Sequence, residues 1–188
     1  MKQLKKQLKE TALLLLAACL FVSCSKKEDE TSATKLKTTL YAIVKPQGAQ
    51  LTNITPDDYV LTLDDFVAVN PESGVFRLVN TKRIDSVAYP IPTQYVIQFY
   101  TNGSFLFEAK LNSVISSYLP TGLTFCHFLS DKNGVARYDL QIVNLSHGKV
   151  GEGTPTQQEK EGMERMYQLL KKAGKTTNDS NIGTDFEF

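Results

Sequence analysis

Apolar residues alternate with polar ones in short runs through most of residues 36–143, which is the two-residue period of β-strands. The clearest pattern lies in residues 95–111, where two apolar runs flank Asn102-Gly103. An Asn-Gly pair in this setting predicts a type I′ hairpin turn, because both central residues need positive φ. Both faces of the hairpin are largely apolar, so we expect it to form the centre of the core. The turn predicts these cross-strand pairs: Thr101–Ser104, Phe99–Leu106 and Ile97–Glu108 on one face, and Tyr100–Phe105, Gln98–Phe107 and Val96–Ala109 on the other.

Turn signals divide residues 36–143 into seven or eight short strands. A second hairpin is predicted from residues 123–129 and 135–143, with a loop at residues 130–134 that resembles a hairpin loop of bacterial immunoglobulin-like domains. Regular short strands separated by turns predict a mainly β protein, an antiparallel β-sandwich that is immunoglobulin-like or a partly closed barrel. The second arm of this hairpin has one apolar face, formed by Ala136, Tyr138, Leu140 and Ile142.

An amphipathic helix is predicted over residues 154–173. Thr156 and Glu159 have the spacing of a capping box at its start, and Gly174 follows its end. This helix needs an apolar surface to cover, so the alternative architecture is an α+β layer, one curved antiparallel sheet with the helix packed on it. Its apolar stripe is formed by Met163, Met166, Tyr167 and Leu170.

The N-terminus follows another pattern, in which lysines open the chain and a charge-free apolar run leads from Ala12 to Ser23-Cys24. The run is too short to cross a bilayer, which takes about 20 residues. Its length and basic flank are those of a secretory signal. Ending on a small residue and a Cys, it resembles the signal and lipobox of bacterial lipoproteins, although Phe21 stands where those signals usually have Leu, Val or Ile. The resemblance implies cleavage after residue 23 and a lipid on Cys24, which would anchor the protein to a membrane.

Residues 26–30, Lys-Lys-Glu-Asp-Glu, resemble the export tag of surface lipoproteins in Bacteroidetes. This second resemblance implies a lipid-anchored outer-membrane protein at the cell surface, the alternative being the periplasmic face. Asp85-Ser86-Val87 is similar to the pattern at which the same bacteria attach O-glycans, so Ser86 is a candidate for O-glycosylation.

The pattern predicts one domain between two polar segments: a signal peptide at residues 1–23, a flexible tether at 24–35, a single β-rich domain at 36–174 and a polar tail at 175–188. The first 23 residues hold four lysines and one glutamate, so the remainder carries 17 basic and 19 acidic side chains. Because positive and negative charges nearly balance, the sequence predicts no basic surface for binding nucleic acid. With Cys24 lipidated, Cys126 would be the last thiol of the mature chain, so we expect no internal disulfide.

The sequence offers little catalytic chemistry. Cys126 adjoins His127 in a predicted strand, but neighbours in a strand point to opposite faces and cannot form a thiol–imidazole pair. We expect His127 to be packed or partly buried, whereas His147 falls in a Gly-rich linker predicted over residues 144–153. The sequence shows no metal-ligand spacing, no cofactor-binding motif and no nucleophile elbow, so no cofactor and no metal are predicted.

Two acidic pairs, Asp57-Asp58 and Asp64-Asp65, raise the question of a cation site. Adjacent carboxylates on a strand point to opposite faces, so each pair offers one ligand to any one site. We interpret both pairs as turn residues.

The leading functional hypothesis is a non-catalytic lipoprotein of the cell envelope that binds a glycan or a protein partner. The chain has no Trp, a residue that carbohydrate-binding surfaces often use, and most of its Tyr and Phe residues are interpreted as core. Two alternatives are a small envelope hydrolase and an accessory subunit of an envelope complex.

Overall fold

The computed structural model of the protein describes residues 39–88, 91–117, 120–131, 133–146, 149–179 and 182. Cys24, the predicted tether and His147 lie outside these residues. The α-helices of this part of the chain are α1 (Lys82–Ala88) and α2 (Gln157–Lys172). Its strands are β1 (Leu40–Pro46), β2 (Tyr59–Thr62), β3 (Phe66–Asn70), β4 (Val75–Leu78), β5 (Tyr95–Thr101), β6 (Ser104–Ser113), β7 (Gly122–Ser130), β8 (Ala136–Ser146) and β9 (Lys149–Glu152).

The strands form one continuous curved sheet in the order β2-β1-β5-β6-β7-β8-β4-β3, with β9 added against β8. The sheet closes as far as a half-barrel, so the predicted mainly β class with a C-terminal helix is confirmed. The strands of this sheet pair antiparallel except β6 and β7, which run parallel. The parallel pair differs from the antiparallel sheet that we predicted. Side chains alternate with the same period in both kinds of sheet, so the sequence pattern does not distinguish strand direction.

The Asn102-Gly103 turn is confirmed, since both residues have positive φ, 49° and 79°. The predicted pairing is right for the two pairs next to the turn and wrong beyond them, because a β-bulge at Leu106 shifts the register by one residue. Phe99 therefore pairs with Phe107 instead of Leu106, and Ile97 with Ala109 instead of Glu108. The bulge turns Phe107 and Ala109 to the same side as Phe99, where all three are buried.

One face of the sheet, here called the inner face, forms the core together with both helices. The stripe predicted on α2 lies in this core, with Met166 and Leu170 fully buried and Met163 and Tyr167 partly buried against it. The predicted capping box begins the helix, since the Glu159 N–H donates to Thr156 Oγ1 at 3.2 Å and the Thr156 N–H donates to Glu159 Oε2 at 2.7 Å. The largest fully buried side chains of the core are Phe66, Phe76, Phe99, Phe107, Phe125 and Tyr138.

Three segments differ from the sequence-based expectation. Residues 82–88, for which no helix was predicted, form α1, whose Ile84 and Ala88 are buried in the core. The linker predicted over residues 144–153 instead holds the end of β8 and all of β9. Residues 175–177 continue the sheet, because the Val69 N–H donates to the Lys175 carbonyl at 2.8 Å and the Thr177 N–H to the Val69 carbonyl at 2.9 Å. The last two segments are held by backbone pairing with a neighbouring strand, which leaves no hydrophobic period in the sequence. Helix α1 is only seven residues long and buries two of them, which is too short for a clear helical stripe.

Candidate functional site

Of the two modification sites predicted from the sequence, the structure describes only Ser86. Cys24 lies outside the described residues. Ser86 lies on α1, is exposed, and donates its hydroxyl to the Arg83 carbonyl at 2.9 Å. An exposed hydroxyl is accessible for the predicted O-glycan, which stays a prediction.

His127 and Cys126 point to opposite faces of β7, as predicted. Cys126 pairs with Asp139 across to β8, and burial together with the Asp139 charge raises its pKa to about 11. A thiol with this pKa stays protonated at neutral pH, and thiols in that form are poor nucleophiles. His127 pairs instead with Tyr138, and their rings stack at a centroid distance of 4.8 Å.

The acidic pairs cap two short 3₁₀ turns, which agrees with our interpretation of them as turn residues. Asp58 Oδ2 accepts from the backbone N–H of Thr55 at 2.8 Å, and Asp65 Oδ2 accepts from that of Thr62 at 2.7 Å. The hydrogen bonds that Asp58 accepts from Thr55 lower the pKa of Asp58. Within the described ranges, no three His, Cys, Asp or Glu side chains come close enough together to hold a metal ion.

A pocket of about 390 Å³ opens where α1 meets the ends of the central strands. Its walls are mainly apolar, and its volume falls in the range of small-ligand sites, about 300–1,000 Å³. A mostly apolar pocket with a few polar groups converging on it is the first candidate for a binding site in such a fold. The lining consists of Ile84, Asp85 and Ala88 from α1, Ile91, Pro92 and Thr93 from the turn before β5, Leu111 to Ser113 with Ile115 and Ser116 from the end of β6, His127 from β7 and Tyr138 from β8.

The parallel pairing of β6 and β7 builds this pocket. It places Ser113 beside His127, and Ile115 and Ser116, which follow β6, also line the pocket. The Val114 N–H then donates to the His127 carbonyl at 3.0 Å, which holds this connection against β7. The Ser116 N–H closes a turn by donating to the Ser113 carbonyl at 2.9 Å.

The buried Tyr138 and the half-buried His127 contribute to the polar character of the pocket. Burial lowers the pKa of His127 from its usual range, against a smaller opposite effect of the Asp85 carboxylate. Burial and the same carboxylate raise the pKa of Tyr138. At neutral pH the pocket therefore presents a neutral imidazole and a protonated phenol. Ser130 Oγ lies 3.5 Å from His127 Nε2, at the limit of a hydrogen bond, and does not line the pocket.

The rim of the pocket carries unusually exposed apolar side chains. Ile115 is 90% exposed and Ile91 is 47% exposed, and both line the pocket. Their neighbours along the chain, Val114 beside Ile115 and Val87 beside Ala88, are exposed as well. Clusters of exposed apolar side chains mark sites of interaction on soluble proteins.

The outer face of the sheet carries a row of tyrosines that we had interpreted as core. Tyr41 stacks on Tyr59 at 3.9 Å and on Tyr100 at 5.3 Å, so both of its ring faces are covered. The Tyr100 hydroxyl donates to Gln98 Oε1 at 2.7 Å, and Gln98 Nε2 donates to Glu108 Oε2 at 2.7 Å. A sugar ring packs on open aromatic faces, whereas these faces lie against one another. The row therefore stabilises strand pairing and offers a glycan little contact surface.

Most of the pocket residues could not be identified from the sequence. His127 had been predicted to be packed or partly buried, but Ser113, Ile115 and Tyr138 belong to no motif. Asp85 had been noted only as part of the predicted O-glycosylation pattern. Ile115 gave one weak signal, because it lies in a short apolar pair between serines that fits neither a strand nor a helix stripe.

Comparison with known proteins identifies no relative of the chain. The chain matches no protein-family model, and neither a curated protein nor a solved structure is significantly similar to it. Within the described part of the chain, no helix has the length and apolarity needed to span a membrane.

Proposed function

We propose that the protein is a lipid-anchored binding protein of the cell envelope, displayed at the cell surface, that holds an apolar side chain of a protein partner in the pocket beside α1. The observation that carries this proposal is the continuity between the pocket and its rim. The apolar lining extends through Ile91 and Ile115 onto exposed surface, so the apolar contact area is larger than the pocket itself.

A polypeptide fits the combination of an apolar pocket and an exposed apolar rim better than a glycan does. A side chain can fill the pocket while the chain that carries it covers the apolar rim, which buries both surfaces together. A glycan is less favoured, because the pocket walls are mainly apolar and the outer-face tyrosines stack on one another. The pocket serves equally well if the partner is a subunit of a larger envelope complex.

Selection of peptides from a random library on the purified protein tests this proposal. We expect the enriched peptides to share one large apolar or aromatic residue and to shift the backbone amide NMR signals of Ile84, Ser113 and His127. Enrichment without such a residue, or peptides that shift only signals remote from these three, would contradict the proposal.

The anchor rests on the signal-like apolar run that ends at Cys24. We expect a Cys24→Ala variant to lose the lipid and to leave the membrane fraction, while wild-type protein extracted from membranes carries a diacylated or triacylated N-terminal Cys in mass spectrometry. A Cys19→Ala variant is the matched control, because Cys19 lies inside the apolar run, and it should fractionate like the wild type. Full membrane retention of Cys24→Ala would refute the anchor.

A further inference from the structure

Asp85 is the charged side chain among the described residues that line the pocket. It lies on α1, and its carboxylate acts electrostatically on His127 and Tyr138, whose side chains reach the pocket from β7 and β8. An interaction with both of these strands places the carboxylate on the pocket side of α1. Asp85 is also exposed, so its charge lies at the mouth of the pocket, where a bound partner would meet it.

The described part of the chain supplies no counter-charge in contact with Asp85. Its side chain forms neither an ion pair nor a hydrogen bond with another described residue. Arg83, on the same helix, is engaged elsewhere, because its guanidinium donates to the Asp57 carbonyl and acts on the carboxylate of Asp58. His127 adds no positive charge at neutral pH, because burial lowers its pKa. The charge of Asp85 is therefore stabilised mainly by water.

The exposed apolar rim makes this charge important for binding. Val87 is exposed on the same short helix as Asp85, and Ile91 and Ile115 are exposed where they line the pocket. A partner that covers these apolar side chains would also remove water from Asp85. A carboxylate that loses water without gaining a positive partner is destabilised, whereas one that gains a cation is compensated. The apolar contact and the charge of the partner are therefore coupled.

From this arrangement, and resting on the protein-binding function proposed above, we infer that the pocket selects a partner with a lysine or arginine beside its apolar anchor residue. The anchor would pack against the wall formed by Ile84, Ala88 and Leu111, and the basic side chain would pair with Asp85 at the mouth. Asp85 is thus a specificity-determining residue. It favours basic partners and rejects acidic ones, because like charges brought together at an interface repel each other.

The test uses a library of N-acetylated and C-terminally amidated peptides, each with one phenylalanine between random residues. The library is incubated with the purified protein, and the bound peptides are sequenced by mass spectrometry. On the wild type we expect lysine and arginine beside the phenylalanine to be enriched about three- to tenfold over aspartate and glutamate, between the effects of an exposed and a buried ion pair. The enrichment should disappear on Asp85→Asn and should favour acidic residues on Asp85→Lys.

Asp64→Asn is the matched control, because Asp64 is an exposed aspartate that does not line the pocket. The exchanges at Asp85 and Asp64 change the net charge of the protein equally, so a difference between them reports the local charge at the pocket. Asp64→Asn should keep the enrichment of the wild type. Both variants should melt at the temperature of the wild type, because both side chains are exposed.

One selected peptide then measures the ion pair directly. Its basic residue is replaced by norleucine, which keeps an alkyl side chain and removes the charge. We expect this replacement to weaken binding to the wild type by about three- to tenfold and to leave binding to Asp85→Asn unchanged. A double-mutant cycle of this kind isolates the interaction between the two side chains.

The outcomes separate the inference from the function on which it rests. If bound peptides shift the backbone amide NMR signals of Ile84, Ser113 and His127 but show no basic preference, or keep that preference on Asp85→Asn, selection by Asp85 is refuted while the apolar pocket stands. If no peptide shifts these signals, the binding function proposed for the pocket is refuted as well.

Discussion

Replacing Leu170 by Ala should lower the free energy of unfolding by about 2–5 kcal/mol, the range for removing a fully buried Leu side chain. Leu170 lies on α2 at 0% exposure, in the same core cluster as the aromatic residues of the inner face. The substitution removes apolar area from the core and leaves a cavity, because strands fixed by backbone pairing cannot close around it. Urea denaturation of the purified protein measures the change.

Leu169→Ala is the matched control for this prediction. Leu169 is the preceding residue of the same helix, only partly buried and outside the core cluster, so the same change should cost clearly less. Equal losses at the two positions, or an unchanged unfolding transition for Leu170→Ala, would contradict the packing of α2 on the sheet. The second result would mean that the stripe on α2 faces a partner and not this domain.

Gly162→Ala should also destabilise the protein, although Ala is the better helix former. A Cβ atom at position 162 would lie 2.3 Å from the Leu106 carbonyl oxygen and 3.2 Å from the ring of Phe107, so α2 would have to move away from β6. Overpacking of this kind costs about 1–3 kcal/mol. We expect this cost to exceed the gain in helix propensity, which is about 1 kcal/mol for Gly to Ala.

The same exchange at an exposed position of α2 provides the control. Gln168 is exposed, so Gln168→Ala should be about 1 kcal/mol more stable than Gln168→Gly, the ordinary propensity difference. The Gly-to-Ala change is thus expected to have opposite signs at positions 168 and 162. Stabilisation at both positions would show that α2 does not approach β6 as closely as the structure indicates.

The elements of the fold that the sequence predicts well are those with a strong local signal. The Asn102-Gly103 turn follows from backbone chemistry alone, and the α2 stripe and its capping box follow from helical spacing. The bulge at Leu106 could not be predicted, because both Leu106 and Phe107 are apolar and either could face the core in a regular hairpin. In the structure both side chains are buried in the core, and Phe107 stacks on Phe99 at a centroid distance of 4.8 Å.

The candidate site depends on features that have no local signal. Its walls come from five separate segments, and the parallel pairing of β6 with β7 brings Ser113 beside His127. Parallel and antiparallel strands show the same two-residue alternation of side chains. The sequence pattern therefore predicts neither the parallel pairing nor the pocket that depends on it. His127 was predicted to be packed or partly buried, which is correct, but the hydroxyl of Tyr138 and the carboxylate of Asp85 could not be placed near it.

The central claim is that the pocket beside α1 is the binding site, and the most direct measurement compares two substitutions of one strand. Ser113 lines the pocket at the end of β6, whereas Ser104 is exposed at the start of the same strand. The affinity of a peptide selected on the wild-type protein is measured for Ser113→Phe, which fills the pocket, and for Ser104→Phe, with thermal melting to show that both variants are folded. We predict that Ser113→Phe weakens binding by about tenfold or more, equivalent to at least 1.4 kcal/mol, and that Ser104→Phe leaves it unchanged. Unchanged affinity for folded Ser113→Phe would contradict the account.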